Sequence, residues 1–267
     1  LLEFRQRLTE SDPKSIDEFL SRNFDGVNVA FKLIGKLSIA YVIAANETIF
    51  TSKFGFGPAK DHWYRYLWQD CLNSGCQSYD DVKEKKIRII SFNYDRSLEY
   101  FLGRKLAATY FSPPGTVMKE ELAERWAISG FEAIESDFQI THPYGKLGSL
   151  IHIPYGNSNN SNYHGMTMAS NIKVIGEDRT KIDSFQTAKA WMETANKVIF
   201  LGFSYDKTNM ERLGLASGLS RSIKNQQQAP YRTVNPMTYG FELAERNSLV
   251  NHYFPSFIGH ESTAAIQ

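Results

Sequence analysis

The chain has 267 residues, with 30 Lys and Arg against 29 Asp and Glu, a formal net charge of +1. That balance argues against a protein built mainly to hold nucleic acid or an anionic membrane, which carries a basic excess. Apolar residues at 42% and aromatics at 13% are ample for a packed core and argue against wholesale disorder; the length suits one large domain or two small ones. The two cysteines, Cys71 and Cys76, are too few for a four-cysteine zinc site or a disulfide framework. They read as thiols in a reducing compartment, which points to the cytoplasm, and no secretory signal peptide is visible.

The first 85 residues read as a helical region. Ser15-Ile16-Asp17-Glu18 has the form of a capping box, in which the serine oxygen accepts a free backbone N–H and the glutamate reaches back to the cap. Helical spacing continues through Phe31, Ile34, Leu37 and Tyr41. Val27 to Ala45 is the most apolar helical stretch, but Lys32 and Lys36 interrupt it. It reads as a buried core helix rather than a bilayer span. A further helix is expected around His62 to Leu72. Its aromatics and Arg65 suit either a core face or an interface, and the core is the simpler reading.

From residue 86 to the end the pattern is α/β. Ile87 to Phe92 is a short β-branched run of the kind that forms a buried parallel strand, and Arg96 to Leu106 has helical spacing. Phe138 to Thr141, Lys197 to Leu201 and Tyr231 to Val234 are three more candidate strands. Helices are expected from about Asp206 and over Phe241 to Arg246, and loops at Pro113-Pro114-Gly115, Gly156 to Asn162 and Lys224 to Pro230. Strands alternating with helices predict a mostly parallel sheet, and such sheets bind ligands beyond the carboxyl ends of their strands. The residues at those ends are Asn93, His142, Gly202 and Asn235, four positions predicted to converge on one rim.

Asn93, His142 and Gly202 each have two readings. The Asn93 carboxamide both donates and accepts, so it can grip a sugar hydroxyl or orient a water. Asp95 can bind a ribose hydroxyl, yet Asn-Tyr-Asp is also an ordinary polar turn capping a helix. His142 is the histidine whose place at a strand end suits a general base, and a structural histidine fits the same place. Gly202, in Leu201-Gly202-Phe203-Ser204-Tyr205-Asp206, allows close approach to a phosphate or serves a tight turn. No P-loop, G-x-G-x-x-G or G-x-S-x-G occurs, so Walker-type phosphoryl transfer and α/β-hydrolase chemistry lack their signatures.

Taken in order, several segments resemble motifs of the sirtuin-like NAD-hydrolase domains of bacterial anti-phage defence proteins. They are Ser15 to Leu20 (S-I-D-x-F-L), Ile34 to Ala40 with Glu47 downstream (G-K-x-x-I-A), and Ser91 to Asp95 with Leu98-Glu99. His142 after a strand and Phe200 to Asp206 complete the set. The resemblance spans roughly residues 15–210. It implies a Rossmann-like, mostly parallel sheet over 86–267 with the helical region 1–85 as an insert, together one sirtuin-like domain. It implies NAD as substrate, Asn93 and His142 as catalytic residues, and Tyr94, Asp95, Gly202, Phe203, Ser204 and Asn235 as cofactor contacts. The family opens with a strand and a glycine-rich pyrophosphate loop; this chain begins at Leu1 without one, and that segment is expected upstream.

By the same resemblance the expected activity is cleavage of the nicotinamide–ribose bond through an oxocarbenium-like transition state, giving nicotinamide and ADP-ribose or cyclic forms. Tyr94 and Phe203 would shield the site from bulk solvent. A toxic NADase needs control, so a homo-oligomer or a partner such as a HerA-type ATPase, an Argonaute or a phage-sensing domain is expected, with no metal and no membrane. Two alternatives remain. A protein deacylase is disfavoured by the missing zinc cysteines, and a non-catalytic nucleotide-binding or oligomerisation module is the third reading.

Overall fold

The computed structural model describes residues 1–13, 15–22, 29–54, 63–113, 120–156, 161–174, 183–203, 205–215 and 233–236. The chain is mixed α/β and divides into two compact units, Leu1–Lys181 and Ile182–Gln267.

The first unit begins with α1 (Leu2–Ser11), α2 (Ile16–Arg22) and the long α3 (Val29–Phe54). Ser15 caps α2 as expected: its Oγ accepts from the Glu18 N–H at 3.1 Å. Among the described side chains of α3 the buried ones are Phe31, Gly35, Ile39, Ala40, Ala44 and Glu47, recurring every three or four residues apart from the adjacent pair Ile39–Ala40 and so defining one helical face. That face packs on α8 (Ser161–Asn171) and shares a core with Phe4, Phe19, Leu20, Leu147 and Ile172. Among the described residues α3 is the one helix long and apolar enough to cross a membrane, by length and composition. The expectation of a core helix holds for one side only, because Val29, Tyr41 and Val42 are exposed.

After α3 come α4 (Trp63–Tyr66), continued as a π-helix over Leu67–Leu72, and α5 (Tyr79–Lys83). Strand β1 (Arg88–Ile90) leads to α6 (Ser97–Leu106), itself continued as a π-helix over Ala107–Phe111. Helix α7 (Glu120–Asp137) then runs to β2 (Gln139–Thr141), which pairs with β1 in parallel. Leu98, Phe101, Leu102 and Leu106 form the apolar stripe of α6 and meet Ala133 and Ile134 of α7; Ile89 and Ile140 pack against the same cluster.

Helices α6 and α7 cross at two glycines. A Cβ placed on Gly130 would collide with the Gly103 carbonyl oxygen, so the backbones approach closely only because both side chains are missing. Gly130→Ala is therefore expected to destabilise the fold by about 2 kcal/mol, since the overpacking cost exceeds the gain of about 1 kcal/mol in helix propensity. Urea unfolding reads this directly; a midpoint equal to or above wild type contradicts the close crossing.

The second unit contains α9 (Asp183–Thr194), β3 (Lys197–Phe200), α10 (Lys207–Arg212) and β4 (Thr233–Pro236), with β3 and β4 parallel. Among the described residues the strands pair in parallel as β1–β2 and β3–β4, one pair in each unit. Hydropathy identifies strands but carries no information about which strands are neighbours. Asn235 differs from expectation. It lies inside β4, paired with Ile199, rather than beyond the strand's end. The expected helix over 241–246 and the loop over 224–230 lie outside the described residues.

Candidate functional site

The parallel register brings two of the predicted residues together. Ile90 pairs with Thr141, and the Ser91 N–H extends the ladder by donating to the Thr141 carbonyl at 2.9 Å. The chain leaves both strands side by side, and the His142 Nδ1–H donates to the Asn93 carbonyl at 2.8 Å. A tight turn fixes the histidine from the other side, with the Gly145 N–H donating to the His142 carbonyl at 2.9 Å. Gly145 has φ +79°, and a Cβ there would collide with the Asn171 carbonyl oxygen, so no other residue suits this turn.

His142 is buried, and its other nitrogen, Nε2, lies 2.8 Å from Glu99 Oε1. Lys146 Nζ donates to the same oxygen at 3.1 Å. Glu99, on α6, is 1% exposed, and its Oε2 is buried with no hydrogen-bond partner among the described residues. Burial by itself would raise the Glu99 pKa. The hydrogen bond and charge of His142, with the charge of Lys146, outweigh burial and bring it down to about 2. Glu99 is therefore a carboxylate, which only accepts, and the Asn93 carbonyl also only accepts. The His142 ring thus has an acceptor at each nitrogen, and neither nitrogen faces open space while these contacts stand.

The loop after β1 is pinned along its length. The Tyr94 carbonyl accepts from Leu147 N–H at 3.1 Å, and the Tyr94 hydroxyl donates to the Lys173 carbonyl at 3.0 Å. Tyr94 packs half-buried against the core of α1 to α3, which gives it an anchoring role in the fold. Asp95 Oδ1 accepts from the Ser97 N–H at 3.0 Å, an Asx turn just ahead of α6, whose N-cap residue is Arg96. Ser97 Oγ lies 2.7 Å from the Tyr155 hydroxyl. Burial raises the pKa of both Tyr64 and Tyr155, reinforced at Tyr64 by Asp95 and Glu99 and at Tyr155 by Glu47 and Asp95, so both phenols stay neutral. In contrast Asn93 is exposed, and no hydrogen bond engages its carboxamide among the described residues. A fixed backbone thus presents one exposed amide at the strand end.

Arg96 locks this loop from beneath. It is fully buried and grips Glu47 of α3 with Nη2 on Oε2 at 2.6 Å and Nε on Oε1 at 3.1 Å. Its backbone N–H donates to Glu47 Oε1 at 3.0 Å, and Nη1 donates to the Ile153 carbonyl at 2.6 Å. Two-pronged pairing of this kind fixes orientation as well as charge.

In the second unit Gly202 follows β3 with φ +59°, a backbone conformation that favours glycine, and open space surrounds the position its Cβ would take. Phe203 packs among Phe200 and Tyr205 at ring separations of 5.4 to 5.5 Å. Tyr205 also has positive φ, at 54°. The six-residue α10 is capped by Asp206, whose Oδ1 accepts from the Asn209 N–H at 3.1 Å, so a carboxylate already occupies that helix N-terminus. Ser204 lies outside the described residues. No group of three or more His, Cys, Asp or Glu side chains placed to hold a metal ion occurs among the described residues.

No protein-family model matches the chain, and neither a curated protein nor a solved structure does. The sequence reading named Glu47 and Glu99 only as letters of motifs and did not single out Arg96 or Lys146. A signal existed for the two glutamates. Glu99 stands three, four and seven residues before Leu102, Gly103 and Leu106, on the buried face of α6. Glu47 stands three and seven residues after Ala44 and Ala40 on the buried face of α3.

Proposed function

We propose that this chain is an NAD glycohydrolase of the sirtuin-like type, acting in bacterial anti-phage defence, with a Rossmann-like arrangement of its parallel strands. The observation that carries the reading is the exposed Asn93 carboxamide at the carboxyl end of β1, on a backbone held by buried His142. The motif order from Ser15 to Asp206 supports it. In the proposed reaction the bond between nicotinamide and ribose C1′ breaks, and the positively charged pyridinium leaves as neutral nicotinamide. Water then bonds to C1′ and releases one proton, giving ADP-ribose. Departure of a neutral base needs no acid on the leaving group, so the protein's task is to place the ribose and the water. Asn93 orients the water or a ribose hydroxyl, and Asp95 stands two residues on, beside the same rim. Gly202, Phe203, Ser204 and Asn235 are assigned to cofactor contacts by resemblance alone. Activity is controlled by self-assembly or a protein partner.

One observation favours a second reading. Both nitrogens of His142 meet groups of the protein itself, an arrangement that suits a structural histidine in a non-catalytic nucleotide-binding module. Incubation of the full chain with NAD, with products separated by chromatography, distinguishes the two. Wild type is expected to release nicotinamide, and Asn93→Ala to retain NAD binding while losing about 100-fold in rate, the scale of a misplaced reacting group. Release that persists in Asn93→Ala removes Asn93 from the site. Binding without release by wild type, including after addition of candidate partner proteins, favours the binding module.

A further inference from the structure

The proposed function uses Asn93 and leaves a buried carboxylate without a role. Glu99 is 1% exposed on α6, six residues beyond Asn93 in the chain, and its Oε1 meets His142 Nε2 at 2.8 Å. On the far side of the ring, Nδ1 meets the Asn93 carbonyl at 2.8 Å. The imidazole is thus a rigid strut between a helix and the loop that presents Asn93, and its plane is fixed only if both ends are held. Lys146, whose side chain is 26% exposed, adds a second contact to the same oxygen from the rim.

We propose that Glu99 is a positioning residue: acting through the His142 ring, it fixes the Asn93 backbone and with it the carboxamide at the rim. This rests on the reading of Asn93 as the group that engages substrate. Groups held from behind in this way commonly cost about 10- to 100-fold in activity when their support is removed.

The choice of variant follows from hydrogen-bond chemistry. In Glu99→Gln the carboxamide NH2 can donate to Nε2, which then accepts, while the Nδ1–H stays on the Asn93 carbonyl. Lys146 is exposed enough to turn toward water and make room for that amide. The ring then carries one proton, on Nδ1, and the strut survives. In Glu99→Ala nothing holds the Nε2 end.

The test uses the full chain labelled with 15N-histidine at neutral pH, alongside nicotinamide release. Wild type and Glu99→Gln are both expected to show a proton on His142 Nδ1, held on the Asn93 carbonyl, and Glu99→Gln an acceptor at Nε2. Glu99→Gln should keep kcat within about threefold of wild type, and Glu99→Ala should lose about tenfold or more in kcat with KM nearly unchanged. A Glu99→Gln ring protonated on Nε2 alone, or a Glu99→Ala protein with wild-type kcat, overturns the proposal. If Glu99→Ala does not fold, the Glu99→Gln spectrum decides. Absence of nicotinamide release by wild type, both alone and with candidate partner proteins, sinks the hydrolase reading; the imidazole spectra still report whether the strut exists.

Discussion

Arg96→Met is expected to lower the unfolding free energy by about 3–5 kcal/mol, the cost of stripping one partner from a buried ion pair. The magnitude follows from what stays behind. Glu47 is 1% exposed, and both its oxygens face Arg96, with the Gly156 N–H adding a longer bond at 3.3 Å. Without the guanidinium its charge is stranded in the core, and the Ile153 and Pro154 carbonyls lose their donors. Methionine fills much of the same volume, so the loss is electrostatic rather than a cavity. Urea unfolding near neutral pH measures the effect. Adding Glu47→Leu to Arg96→Met should recover part of it, because an apolar pair no longer contains an unpaired charge. A single-variant cost under about 1 kcal/mol is the scale of a solvated surface pair and would show that the two side chains do not meet in the folded protein. The same contact bears on function. Arg96 follows Asn93 by three residues, and Glu47 ties that loop to α3 and to the segment 153–156, where the Thr48 hydroxyl donates to the Gly156 carbonyl.

Local chemistry was readable where neighbours in the chain decide it. Short β-branched runs located β1 and β2 to within a few residues, and the serine–glutamate spacing located the cap of α2. Parallel strands emerging side by side then suffice to bring Asn93 and His142 together. What depends on the rest of the chain was not readable. Which strands pair, β1 with β2 and β3 with β4, is not legible because hydropathy is blind to pairing partners. The π-helical turn over Ala107–Phe111 extends α6 past Leu106, where the helical spacing ends, whereas the turn over Leu67–Leu72 falls within the helix expected there. Glu47, Arg96 and Glu99 were passed over because a charged residue is by default a surface residue. Only the pairing of Arg96 with Glu47, and of Glu99 with His142 and Lys146, makes their burial tolerable. His142 shows the limit most sharply. Its place at a strand end suggests a base, whereas the partner that meets its Nε2 is Glu99, a residue 43 positions away.

That contact also sets the response of the fold to acid. Burial would push the Glu99 carboxyl up, but the hydrogen bond and charge of His142 and the charge of Lys146 hold it at about 2 against an ordinary 4.5. A carboxylate depressed in the folded state stabilises the protein above its unfolded value, and the contribution disappears as pH falls through the folded value. The window therefore runs from pH 4.5 down to about 2. A depression of that size corresponds to about 3 kcal/mol, at about 1.4 kcal/mol for each tenfold change in proton affinity. Glu99→Gln has no proton to take up there. It is expected to be less stable than wild type by about 3 kcal/mol near neutral pH, with the gap closing as both proteins are taken toward about pH 2. Urea midpoints at several pH values, with the denaturant slope checked for constancy, trace this convergence. Curves that run parallel to the lowest pH would mean that His142 and Lys146 do not hold the Glu99 carboxylate, and the strut behind Asn93 would lose its anchor on α6. Convergence ties the acid limit of the fold and the placement of Asn93 to one buried oxygen, Glu99 Oε1.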